Sequence, residues 1–326
     1  MTLSRSEVVQ IATVNAGRIL NKYDLLGTDE PVDVFSLIEK ENVVLNFQPL
    51  DELAGAYIPK KENSLPGIIV NERLPITRQR YTAAHELSHF LRNDPTSIDT
   101  ASELFFQEYK RDDREQIAEE FASSILMPRS LIRSNFSLLG ITESKKNIRI
   151  NSEEVYAMAL RMGTSYSATV GRLATLHYID RDQYHQLIRI KPKRIKETLG
   201  RGGLATSWND VWELSDKDNN SKIYPVTGDV IRIELSENPT TGYLWMNIEY
   251  DNKQLTLFED VWKTDGSVIG GGGSRIFGYT VDSVGTGMLN LKCSRPWLAD
   301  SLLKKFQLSI EVNAKRHGLS EDILIA

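Results

Sequence analysis

The chain has 326 residues, 40% of them hydrophobic and 25% charged, with a formal net charge of −5. That length supports two or three domains with real cores, the charge leaves no general footprint for nucleic acid, and no apolar run reaches the roughly 20 residues that span a bilayer. A lone cysteine, Cys293, rules out an intrachain disulfide framework and leads us to expect a reducing, cytoplasmic setting.

The N-terminal stretch carries Glu7 early, and its apolar residues Val8, Val9, Ile11, Ala12 and Val14 are interrupted by Gln10 and Asn15. It reads as an amphipathic helix, not a signal-peptide core. Helical pattern alternates with polar breaks up to Lys40. Residues 43–47, 54–59 and 67–71 read as strands. Arg80–Leu91 contains no Pro or Gly and reads as a helix, followed by a polar stretch over 92–100 and a segment over Glu103–Tyr109. A second strong helix spans about Asp112 to Leu126 and stops at Met127-Pro128, because proline cannot continue it. A helical pair follows near Ser152–Met162 and Ser165–Leu176.

Composition changes after Ile190. Residues 191–196 are basic and Gly200-Arg201-Gly202-Gly203 is a flexible breaker, which places a linker near 191–207. Beyond it, alternating runs such as Val230–Leu235 are punctuated by turn signals at Asn238-Pro239, Asp265-Gly266 and Gly270–Gly273, the pattern of a β-sandwich. The expected class is α+β: a helix-rich domain over 1–190, the linker, an all-β domain over 208–315 and a tail over 316–326.

The Arg80–Leu91 helix carries His85-Glu86-Leu87-Ser88-His89, an HExxH pentad. Residues i and i+4 share a helix face, so the two imidazoles can grip one Zn²⁺ while Glu86 acts as general base toward water. With five histidines and 44 acidic residues in the chain, an accidental pentad is expected in roughly one chain per hundred or fewer. The alternative is a pair of histidines at the edge of a core, with Ala84, Leu87, Phe90 and Leu91 seating the helix. Catalytic zinc takes three protein ligands and keeps one position open. Spacing offers Glu115 and Glu119, one turn apart on the second helix; Asp112, Asp113 and Glu120 suit caps or surface charges. Tyr81, His177 and His185 are candidates for stabilising an oxyanion, although structural or surface roles are commoner for the two histidines.

The stretch Arg80–Leu91, then Glu115-Gln116-Ile117-Ala118-Glu119-Glu120-Phe121-Ala122 and Ile125-Leu126-Met127-Pro128, resembles the ImmA/IrrE metallopeptidases. Strands ending at Asn71 fit as well, as does the helix-turn-helix-like segment near 152–176 with Ser165 and Arg172-Leu173. The resemblance covers about residues 10–180. It implies a gluzincin-type site, maps the zinc glutamate onto Glu115 with Glu119 as fallback in the family's usual Asn place, and implies a regulator or repressor protein as substrate.

In the second half, Asn238-Pro239-Thr240-Thr241-Gly242-Tyr243, Gly271-Gly272-Gly273 and Arg295-Pro296-Trp297 lie at strand ends. Each alone is ordinary hairpin chemistry: a Pro-fixed turn, a glycine loop and a Pro-aromatic tip. In order and together they resemble the chagasin-type inhibitors of papain-like cysteine peptidases over about residues 208–315. That resemblance implies an immunoglobulin-like sandwich whose loops fill a peptidase cleft. Gly270–Ser274 also spells a common engineered linker, but its place between strands suits a native loop. No Walker or dinucleotide fingerprint is present. The expectation is a zinc endopeptidase carrying an inhibitor-like module, with a protein substrate and a papain-like peptidase as partners and neither membrane nor nucleic acid. The alternative is a non-catalytic protein that inhibits or senses such peptidases; DNA binding through 152–176 is a third reading, with modest basic content behind it.

Overall fold

A computed structural model describes residues 3–62, 64–95, 97–100 (backbone only), 112–142, 148–200, 209–247, 254–264, 272–298 and 300–314. Glu103–Tyr109, the 201–207 part of the expected linker, Gly271 and the 316–326 tail lie outside them. Two compact units emerge: one runs to Phe136 and resumes over Met162–Tyr178, the other takes Ser137–Arg161 and Ile179–Ala314. Among the described residues no helix is long and apolar enough to cross a membrane.

In the first unit, α1 (Arg5–Lys22) opens on a capping box between Ser4 and Glu7 and buries Val8, Ala12 and Ala16, spaced one turn apart. Asp33 caps α2 (Val34–Lys40). Strands β1 (Val44–Gln48), β2 (Leu53–Ile58), β3 (Gly67–Asn71) and β4 (Ser97–Thr100) form a sheet in the order β1-β3-β2-β4, parallel between β1 and β3 and antiparallel elsewhere. The helix expected from Arg80 begins one turn earlier. It is α3 (Ile76–Leu91), and Gln79 in its first turn donates to the Glu72 carbonyl just past β3. Then come α4 (Asp113–Leu126) and α5 (Arg129–Leu139).

Two residues order the sheet and its packing on α3. Asn71 is buried at the end of β3 and donates to the Leu50 and Leu53 carbonyls while accepting from Leu50 and Arg73, which pins the β1–β2 connection. Gly55 lets β2 lie directly on α3: a Cβ there would sit 2.5 Å from Thr82 Cγ2 and 2.7 Å from the Ile69 carbonyl oxygen.

After α6 (Ser152–Met162) comes α7 (Tyr166–Thr175), which returns to the first unit. Its Arg172 is buried, with Nη1 2.8 Å from Glu120 Oε1, and Nε donates to the Met127 carbonyl. Arg5 meets the other Glu120 oxygen at 2.8 Å. Glu120, read as a cap or surface charge, is thus a buried acid between two arginines. Arg172 is engaged inside the fold, which weighs against the DNA-binding reading of this segment.

The second unit carries α8 (Arg181–Leu187) and α9 (Pro192–Leu199). The latter falls in the stretch read as a linker. Proline suits its first turn, Ile195 and Leu199 form a buried i, i+4 pair, and Lys196 Nζ reaches Asp210 at 2.7 Å. The basic residues around them hid that short apolar face.

Strands β5 (Val211–Ser215), β6 (Ser221–Ile223), β7 (Val230–Glu237), β8 (Leu244–Asn247), β9 (Leu255–Thr264), β10 (Gly273–Val281), β11 (Gly285–Ser294) and β12 (Lys304–Val312) build two four-stranded sheets, β5-β7-β10-β9 and β6-β12-β11-β8. Alternate residues from both sheets share one core: Ile231, Ile233 and Leu235 with Phe277, Tyr279 and Val281 from the first, Leu289, Leu291 and Cys293 with Phe306, Leu308 and Ile310 from the second. Helix α6 adds Leu160 to that core, and its Arg161 pairs with Asp218 at 2.7 Å. Its Tyr156 hydroxyl donates to Asp210 and accepts from the Val211 amide.

Candidate metal centre and loop surface

Residues 82–89 of α3 are all buried, although Thr82, His85, Glu86, Ser88 and His89 are polar. Buried polar groups need partners, so this helix is built for a polar task. His85 Nε2 and His89 Nε2 are 3.2 Å apart. Glu115, in the first turn of α4, brings Oε2 to 3.1 Å from His85 Nε2 and Oε1 to 3.6 Å from His89 Nε2. Bonds of about 2.0–2.1 Å to a tetrahedral cation set ligand atoms about 3.3 Å apart, so the triangle has the size of one face of such a site. Two imidazoles and a carboxylate also make the donor set that a divalent cation of borderline softness takes.

Helix geometry explains the convergence. His85 and His89 follow from i, i+4 spacing, and Asp112 caps α4, so that Glu115 stands at its positive end. Glu119 is not part of this cluster. Burial would raise the Glu115 carboxyl, but hydrogen bonds and charge from His85 and His89 outweigh it and hold the group well below the usual carboxylate range. His89 also loses charge stability through burial, yet Glu115 and Asp94 leave it raised overall. Glu86 is fully buried on the same helix turn, beside Gly55.

Asp94 escaped the sequence reading. Its Oδ2 lies 3.0 Å from His89 Nδ1. The available signal was Asn93, a residue that tolerates the left-handed backbone that ends helices. Tyr81 is half-buried on α3, whereas His177 and His185 are exposed and outside the cluster. His177 occupies a left-handed position (φ 59°) just after α7, and His185 lies 3.4 Å from Arg181.

In the second unit the β7–β8 and β11–β12 connections and the strand ends at Thr264 and Gly273 gather at one end of the sheets. Asn238 Oδ1 accepts from the Thr240 amide and hydroxyl, and Thr241 Oγ1 donates to the Asn238 carbonyl. Gly242 takes φ 76°, and a Cβ there would lie 2.9 Å from the Trp297 ring. The Arg295 guanidinium sits 4.6 Å from the Tyr243 ring centroid and donates to the Thr241 carbonyl. Pro296 falls within the turn that the Leu298-to-Arg295 backbone bond closes. Trp297 remains 71% exposed. At Gly273 a Cβ would collide with the Lys263 carbonyl, so glycine is required at the start of β10.

A model of the chagasin family peptidase inhibitors matches residues 226–312. Chagasin of Trypanosoma cruzi is 32% identical over 94 residues, covering 27% of this chain and 86% of that protein. The chain belongs to the chagasin family. It also carries an IrrE N-terminal-like domain, matched over residues 38–173. The radiation response metalloprotease IrrE of Deinococcus deserti is 34% identical over 106 residues, 31% of this chain and 35% of that protein, so the chain spans about a third of that relative's length. Among solved structures, a cysteine protease inhibitor from Entamoeba histolytica covers 32% of this chain and 96% of its own, at 27% identity and a TM-score of 0.29. A metallopeptidase-type domain and a chagasin-family inhibitor domain therefore share one polypeptide.

Proposed function

We propose that this protein is a zinc-dependent endopeptidase of the gluzincin type that carries an inhibitor-like module with an immunoglobulin-like sandwich. The observation that supports it most is the triangle of His85, His89 and Glu115 beside buried Glu86. The three side chains would hold the ion. When bound, zinc polarises a scissile carbonyl and acidifies water toward a pKa of about 7. Glu86 takes the proton of the attacking water and passes it to the leaving amine, and the enclosure of α3 keeps that carboxylate in place. The substrate class is a protein, a regulator or repressor by resemblance to IrrE-like enzymes, and the single buried cysteine suits a reducing, cytoplasmic compartment. Proteolysis by the unsubstituted chain and by Glu86→Gln tests this: equal cleavage by both contradicts it.

The loop surface favours a second activity on the same chain. Trp297 stands out on a turn whose neighbours Gly242, Tyr243 and Arg295 are already packed, so little entropy is lost on docking. We assign these loops to the cleft of a papain-like cysteine peptidase. Absence of inhibition at micromolar protein would leave the fold without that activity.

A further inference from the structure

The way α3 ends bears on the site it carries. Asn93 takes φ 52°, the Asp94 amide donates to the His89 carbonyl at 3.0 Å, and the Asn93 amide donates to the Phe90 carbonyl at 3.0 Å. That pair of bonds is a Schellman stop, and it turns the chain back on the last helical turn. The reversal delivers Asp94 to His89, with Oδ2 3.0 Å from Nδ1. A carboxylate only accepts, so Nδ1 carries a proton toward Asp94, which leaves Nε2, on the side of His85 and Glu115, as the nitrogen a metal ion would take. Asp94 is only 10% exposed, and Arg92 Nη1 lies 3.5 Å from the same Oδ2. Arg92 Nη1 also donates to the Arg114 carbonyl at 3.1 Å, one residue before Glu115. One guanidinium thus touches the carboxylate that faces His89 and the helix turn that carries Glu115.

We propose that Asp94 and Arg92 are a positioning pair. Asp94 fixes the tautomer and aim of His89, and Arg92 ties the first turn of α4 to that carboxylate, so metal affinity depends on two residues that are not ligands. The inference rests on reading His85, His89 and Glu115 as a metal site.

The test is zinc affinity, measured on the full chain by competition with a chromophoric chelator. Asp94→Ala is expected to weaken zinc binding about 10–100-fold, as loss of a histidine's carboxylate partner does in other zinc sites. Asp94→Asn keeps an oxygen that accepts from Nδ1 and recovers part of the loss; Arg92→Ala loses less than Asp94→Ala. Thermal melts of the metal-free variants separate a positioning effect from unfolding. A readout independent of any variant is nitrogen NMR of the zinc-loaded, unsubstituted chain, with the His89 proton expected on Nδ1. Unchanged affinity in Asp94→Ala, or a His89 proton on Nε2, overturns the pair. An unsubstituted chain that binds no zinc overturns the site itself, and the pair with it.

Discussion

The candidate metal centre and the loop surface solve opposite problems. Around His85, His89 and Glu115, polar groups are buried on helices, and side chains one turn apart or on adjoining helices face each other at hydrogen-bond distance. At the loop end of the sandwich, apolar groups such as Trp297 are exposed, and order comes from backbone turns, a glycine that admits a ring, and an arginine stacked on Tyr243. The first arrangement suits chemistry, where charges must be held in a dry setting. The second suits recognition, where a stiff apolar tip must meet a partner's surface. On the proposed reading, burial serves reactivity and exposure serves binding, and substitutions in the two regions should fail in different ways.

The largest expected effect is catalytic. Glu86→Gln should lower proteolysis by about 10²–10⁴-fold while the fold and zinc content persist, because only proton transfer is lost. A peptide-cleavage assay with elemental analysis checks both halves. Next is Arg172→Ala. It leaves Glu120 buried with one cation fewer and should destabilise the first unit by about 3–5 kcal/mol, read from denaturant unfolding. A loss under about 1 kcal/mol would mean that the buried pair contributes little to the stability of the unit. In the loops, Trp297→Ala should cost about 2 kcal/mol of binding to a papain-like peptidase, roughly thirtyfold in Kd, and leave stability nearly unchanged. An equal loss in stability would mean that the ring serves the fold instead.

The smallest effect sharpens the contrast through pH. Asp229 is buried in the second unit and accepts from the Asp210 and Val226 amides and from Trp212 Nε1. Burial, then the neighbouring Asp210 carboxylate, push it up to about 7. An unfolded aspartate titrates near about 3.9, so the folded chain binds the extra proton between those values. The contribution of Asp229 to stability is then full below about 4 and falls as pH rises toward 7. Glu115 has the opposite sign in the metal-free chain: its contribution is present above the ordinary carboxylate range and is lost on acidification. Melting of the second unit at pH 4.5 and 7.5, with Asp229→Asn flattening its response, and of the first unit at pH 5.5 and 3, checks the pair of signs.

Much of the architecture was readable because it is periodic. The strand over 67–71 coincides with β3 and α4 begins one residue after its expected start, whereas β7 alternates only from Ile233 on, Val230–Ile233 all being buried. What escaped was long-range or hidden. Arg172 and Glu120 stand 52 positions apart in sequence, and nothing local marks either as buried. Asp94 looks like one polar residue among several until Asn93 reverses the chain. Helix α9 was masked by its own lysines, since only Ile195 and Leu199 show its inward face. The same holds for Gly55, whose need for no side chain appears only when β2 lies on α3.

The central claim is that three side chains on two helices hold one catalytic metal ion. Its most direct measurement is the zinc content of the purified chain beside His85→Ala and Glu115→Ala. One zinc per chain in the unsubstituted protein, with loss of most of it in both variants, is the predicted result. No bound metal in the unsubstituted chain, or undiminished zinc in the variants, would contradict it.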